Sequence, residues 1–137
     1  MTEKRVTCAV ILRDEKALLA RRAPGQKNAG LWEFPGGKVD PGESDEACLA
    51  REIWEEFGVK GTVGAHICDS GYTYGALDMR ILLCAYLFSP ESLAFEQRVH
   101  DDIRFFSADE MEALPLSPAD LPIAARVAEL LSYRRTV

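Results

Sequence analysis

An α/β fold, layered as an α/β/α sandwich around a mixed central sheet, is what this sequence predicts for residues 1–137, taken as one domain. Two observations carry the expectation. Short apolar or β-branched runs near residues 6–12, 17–20, 61–68, 79–88 and 103–106 read as strands, while 44–58 and 119–132 read as amphipathic helices. Strands interleaved with helices bury their apolar faces as stacked layers. Composition agrees, because 47% hydrophobic with 28% charged residues is ordinary for a globular chain. A domain of this size buries roughly 68–70% of its unfolded surface.

In chain order, residues 6–12 form a buried strand, 13–16 a polar turn, and 17–20 a returning strand. Residues 23–30 are loop by their Pro, Gly and Asn content, and Gly36 with Gly37 make a turn. Ser44 is placed to cap the first helix and Gly58 to end it in a left-handed residue. Strands follow at 61–68 and 79–88, with residues 71–75 as a loop between them. After the strand at 103–106, Ser107 and Glu110 carry a capping-box signature for a short helix that stops before Pro115. The last helix puts Ile123, Val127, Leu130 and Leu131 on one side.

The net charge of −6 argues against a nucleic-acid polymer or an anionic membrane as partner. It leaves open a single nucleotide whose charge arrives masked by metal. Cys8, Cys48, Cys68 and Cys84 have no paired zinc-type spacing, and no apolar segment reads as a signal or a bilayer span. The simplest setting for four free thiols is a reduced cytoplasm. The chain is expected to be a monomer or a homodimer.

The helix after Ser44 carries the chemistry. At about 100° per residue, Glu52, Glu55 and Glu56 fall within an arc of roughly 100°. Ala47, Ala50, Ile53, Trp54 and Phe57 are expected to form the opposite, packed arc. Like charges at these spacings cost a bare helix roughly 0.2–0.5 kcal/mol per pair. Only Arg51 lies nearby, expected to point to the side. A divalent cation, Mg²⁺ or Mn²⁺, removes the repulsion through hard oxygen ligands. The plain alternative is a solvated acidic face.

Residues 37–59 resemble a known motif at this point. Gly37, Glu43, Arg51, Glu52, Ile53, Glu55, Glu56, Gly58 and Val59 match the Nudix box at each of its nine defined positions. The segment from Leu31 to Lys38 resembles the MutT-type branch, which cleaves nucleoside triphosphates, and Pro118, Ala119, Asp120 and Pro122 resemble that branch's base-binding segment. The resemblance runs from about residue 5 to residue 131 and implies the Nudix fold.

Hydrolysis of a phosphoric anhydride needs cations on its oxygens, a positioned water and a carboxylate to take the water's proton. Three convergent glutamates and a backbone carbonyl beside glycine supply those parts. A carbonyl of the Gly36–Gly37 turn, taken as that of Gly37, is a further ligand because glycine lets backbone approach an ion closely. The resemblance implies Glu55 and Glu56 as metal ligands, and Glu52 as general base within the same metal site. It also implies that Glu43 and Arg51 brace the catalytic glutamate, while Arg22 and Lys38 meet the triphosphate. The further acidic ligand common in this branch falls near Val99, which cannot bind metal. Glu96, Asp101 or Asp102 is then the substitute, with Asp101 preferred, unless water completes the shell.

Where the MutT pattern has asparagine, this chain has Asp120. A charged aspartate only accepts hydrogen bonds and favours an amino group, as on cytosine. A protonated one can read 8-oxoguanine. Helix capping is its non-functional reading. Phe34 is a candidate for stacking on the base, or a core residue, and Tyr72 and Tyr74 are candidates for lining the same pocket. The expected activity is pyrophosphohydrolysis of a nucleoside triphosphate to the monophosphate, a housecleaning function on (d)CTP-type or 8-oxo-dGTP nucleotides. The alternatives are hydrolysis of dinucleoside polyphosphates or nucleoside diphosphate-sugars, or a non-catalytic Nudix module.

Overall fold

The computed structural model describes residues 1–136. Two four-stranded sheets are flanked by helices. The larger sheet has the order β5 (Gly36–Lys38), β1 (Thr2–Val10), β7 (Met79–Pro90), β6 (Gly61–Tyr74). It is mixed, because β1 runs parallel to β7 but antiparallel to β5, and β6 is antiparallel to β7. The smaller sheet pairs β3 (Lys16–Arg22) with β2 (Leu12–Arg13), β4 (Trp32–Glu33) and β8 (His100–Phe106), all antiparallel.

The uninterrupted apolar runs follow from burial on both faces. Along β1 and the residue after it, Cys8 and Val10 enter one core while Ala9 and Ile11 enter the other. The same alternation separates Ala17 and Leu19 from Leu18 and Ala20, and Leu83 and Ala85 from Cys84, Tyr86 and Phe88. One core is closed by α2 (Ala108–Glu112) and α3 (Asp120–Thr136), through Met111, Ile123, Val127 and Leu131. The other is closed by α1 (Asp45–Phe57), through Leu49, Ile53 and Phe57. Full burial of such a side chain stabilises by about 1.5–3 kcal/mol. Among the described residues, no helix is long and apolar enough to cross a membrane.

Four expectations change. Gly36 and Gly37 are extended strand rather than turn, paired with Cys8 and Thr7. Residues 71–74 continue β6 instead of looping, since Tyr72, Thr73 and Tyr74 favour strand and Gly71 leaves room for the Arg80 guanidinium over it. The packed arc of α1 is Cys48, Leu49, Ile53 and Phe57, whereas Ala47 and Ala50 are exposed and Trp54 is 49% exposed. The row spaced by four from Leu49 faces the sheet, and Trp54 lies one helical step, about 100°, beyond Ile53. Finally, β8 begins at His100, three residues earlier than expected.

Candidate active site

Helix α1 delivers the carboxylates. The Ser44 hydroxyl accepts the Ala47 N–H at 3.1 Å, and Gly58, at φ 66°, returns its N–H to the Trp54 carbonyl. One turn at a time, Cys48, Glu52 and Glu56 line the edge of the buried face, so two acids are drawn into partly dry surroundings.

Arg51 does not point aside. Its Nε and Nη2 donate to the two Glu43 oxygens at 2.7 and 2.9 Å, and its Nη1 donates to Glu52 at 2.9 Å and Glu55 at 3.0 Å. Nη2 also reaches the Lys38 carbonyl at 3.1 Å. One planar fork therefore ties together helix, strand β5 and the connecting loop. The guanidinium, with the Asp40 N–H, lowers the Glu43 pKa to about 2.

Glu52 and Glu56 shift the opposite way from Glu43. Burial raises both, partly offset at Glu52 by Arg51. For Glu56, burial together with Glu52 and Glu33 takes the pKa to about 8. Its Oε2 is buried without a hydrogen-bond partner. A buried, unpartnered carboxylate oxygen beside a second acid is an environment that a hard cation fits. Gly37 belongs to the same place, because a Cβ there would stand 2.2 Å from Glu52 Cδ. Glu55 is more exposed and turned onto Arg51. Among the described residues, no three His, Cys, Asp or Glu side chains stand together as a ready cation cage.

A cavity of about 380 Å³ opens from these acids. Gly37, Glu52 and Glu56 border one part of it, Arg22, Lys27 and Lys38 are among its cations, and Ser117, Ala119 and Asp120 complete the lining. Asp120 is 6% exposed, and its Oδ2 accepts the Phe34 N–H at 2.8 Å. Burial, then the nearby Glu33, pushes its pKa well up. One carboxylate oxygen is thus engaged by the backbone between β4 and β5. Phe34 contributes this backbone donor while its ring, 3% exposed, sits in the core with Trp32 and Leu83, the second of its two expected places. Tyr74 lines the cavity, with Tyr72 edge-on to it.

Several residues were not singled out by the sequence. Glu33 lines the cavity, held by His100 Nε2 at 2.9 Å and Arg22 Nη1 at 3.6 Å. Its place in the segment before the glycines was the available signal. Lys4 and Lys27 gave none, since they come from a strand start and a loop brought together only by folding. The candidate replacement ligands are engaged elsewhere: Asp101 with Arg21 at 2.7 Å, Glu96 with Arg98, and Asp102 with Arg104.

Comparison with known proteins places this geometry. The NUDIX domain profile matches residues 2–127. The CTP pyrophosphohydrolase of Escherichia coli is 38% identical over 119 residues, covering 86% of each chain. The 8-oxo-dGTP diphosphatase of Haemophilus influenzae is 49% identical over 53 residues, 37% of this chain and 39% of that one. The solution structure of the E. coli ORF135 protein superposes with a TM-score of 0.85 at 34% identity, covering 100% of this chain and 96% of that chain. The chain belongs to the NUDIX domain family and is a hydrolase.

Proposed function

We propose that this hydrolase converts nucleoside triphosphates to monophosphates and pyrophosphate with a bound divalent cation, Mg²⁺ or Mn²⁺, and prefers cytosine nucleotides. The observation that carries this reading is the single cavity that joins Gly37, Glu52 and Glu56 to Arg22, Lys38 and Asp120. The Gly37 carbonyl, Glu52 and Glu56, with Glu55 after it leaves Arg51, are the oxygens that would hold the cation. A cation held there would neutralise phosphate charge and acidify water. Arg22 and Lys38 hold the triphosphate. The attacking water forms a new P–O bond as the anhydride P–O bond breaks, pyrophosphate leaves, and Glu52 takes the proton. A carboxylate raised by burial suits that role better than an ordinary one.

Asp120 selects the base. Ionised, its free oxygen accepts from an exocyclic amine such as that of cytosine. The identity to the E. coli CTP pyrophosphohydrolase supports that preference. A second reading, 8-oxo-dGTP, is favoured by the burial that raises Asp120, because a protonated carboxyl both donates and accepts. The test is competition among 8-oxo-dGTP, dCTP, CTP and 5-methyl-dCTP with Mg²⁺, with products separated chromatographically. Preferential loss of the cytosine nucleotides supports the first reading, and preferential loss of 8-oxo-dGTP the second. No turnover of any of the four overturns the activity.

A further inference from the structure

Helix α1 ends in an electrostatically poor state. Its last turn carries Glu55 and Glu56 and no basic residue of its own, although a helix C-terminus favours cations. The missing cation arrives from the segment before β8. Arg98 Nη1 donates to the Glu55 carbonyl at 2.7 Å and to the Trp54 carbonyl at 3.4 Å. The same guanidinium is held by Glu96, whose N–H donates to the Phe57 carbonyl at 2.8 Å. Phe95 packs edge-on against Phe57 at 6.2 Å between ring centroids, and His100 stacks on Phe57 at 5.1 Å. A Cβ on Gly58 would meet the Glu96 carboxylate at 2.8 Å, so the segment lies directly against the helix end.

Residues 95–100 therefore grip the three carbonyls of the turn whose side chains are the acids of the site. We propose that Arg98 is a positioning residue for metal binding: by holding the Trp54 and Glu55 carbonyls it fixes the last turn of α1, and with it the direction of Glu55 and Glu56. The segment that offers no carboxylate at Val99 serves the cation through the helix backbone instead. The guanidinium does not touch the cation. It holds the backbone from which two ligands project, and loss of such outer support typically costs 10–100-fold in affinity. This inference rests on the proposed metal site.

The test is Mn²⁺ binding to the purified protein, read from the free-ion paramagnetic resonance signal at a temperature well below unfolding. The variants are Arg98→Ala, Arg98→Lys and, as the control for the site itself, Glu56→Gln. Arg98→Ala is expected to weaken Mn²⁺ binding about 10-fold, with KM for the nucleotide little changed and the Mg²⁺ concentration for half-maximal rate raised in parallel. Arg98→Lys, which keeps a cation at the helix end, is expected to recover part of the loss. Normal Mn²⁺ affinity in Arg98→Ala, alongside loss in Glu56→Gln, overturns the positioning role alone. Normal affinity in Glu56→Gln overturns the metal-site reading and this role with it. A lowered melting temperature with unchanged affinity marks Arg98 as merely structural and also overturns it.

Discussion

Arg51 grips both carboxylate oxygens of Glu43 from across the first two turns of α1, at 2.7 and 2.9 Å, and uses its remaining nitrogen on Glu52. The pair is a bidentate bridge, so planarity and reach matter as much as charge. Arg51→Lys keeps the charge but cannot span Glu43, Glu52 and the Lys38 carbonyl together. We expect it to lower kcat/KM by about 10–100-fold while circular dichroism stays native. Glu43→Gln is expected to fall in the same range. The double variant should lose much less than the product of the two, because both break one network. Multiplicative losses would show that the residues act independently.

The two adjacent glycines serve different masters. A Cβ on Gly36 would stand 1.9 Å from the Thr7 carbonyl oxygen, a backbone atom in the neighbouring strand. A Cβ on Gly37 would strike the Glu52 carboxylate, which is able to rotate away. Gly36→Ala is therefore expected to cost several kcal/mol of stability, in the range of severe steric changes. Gly37→Ala should remain folded and lose about 10²-fold in kcat, the scale of losing one preorganised electrostatic group. Thermal melts and rates on both variants check this; equal stability losses would refute the distinction.

Local and periodic features of the chain were legible, and compensated ones were not. Ser44, Gly58 and the Ser107–Glu110 capping box appear where local hydrogen bonding demands them. The glutamate spacing on α1 was equally readable, because helical geometry alone brings Glu52 and Glu56 to one side. What failed was any judgement that depended on a neighbour from elsewhere in the chain. Gly71 suggested a loop, yet Arg80 from the paired strand occupies the space above it. Trp54 looked like core, but the sheet meets the row of Leu49, Ile53 and Phe57. Glu33 gained its place through Arg22 and through His100, a residue 67 positions away.

Proton linkage at Glu56 gives a stability prediction. Its folded pKa of about 8 lies above the ordinary carboxylate value of 4.5. Between those values the native state holds a proton that the unfolded chain has released, so stability falls as pH rises through this window. In chelator, the melting temperature is expected to decline between about pH 5 and pH 8, and Glu56→Gln should flatten that decline. Added Mg²⁺ should stabilise more at pH 8 than at pH 6, because at lower pH it must displace the proton. Glu43 has the opposite sign: lowered to about 2, it contributes stability above its ordinary 4.5 that is lost as pH falls toward 2. A melting temperature that rises from pH 5 to pH 8 in chelator would contradict the Glu56 environment.

On the proposed reading, Asp120 makes base choice itself a function of pH. Burial and Glu33 raise its pKa, so a protonated form persists at higher pH than for an exposed aspartate. With Oδ2 already accepting from Phe34, the other oxygen is the one left to meet a base in the proposed complex. As an ion that oxygen only accepts, which suits a cytosine amine; protonated, the group can also donate. Selectivity for dCTP over 8-oxo-dGTP is therefore expected to rise with pH in a mixed-substrate assay. Asp120→Asn does not titrate and presents both donor and acceptor at every pH. Its selectivity should be flat with pH and shifted toward 8-oxo-dGTP by about 10-fold, the scale of one altered hydrogen bond to a base. Carrying both substrates in one tube cancels the pH effects on Glu52 and on the cation, which act on each alike. If Asp120→Asn keeps the wild-type ratio and slope, the base is read by other groups.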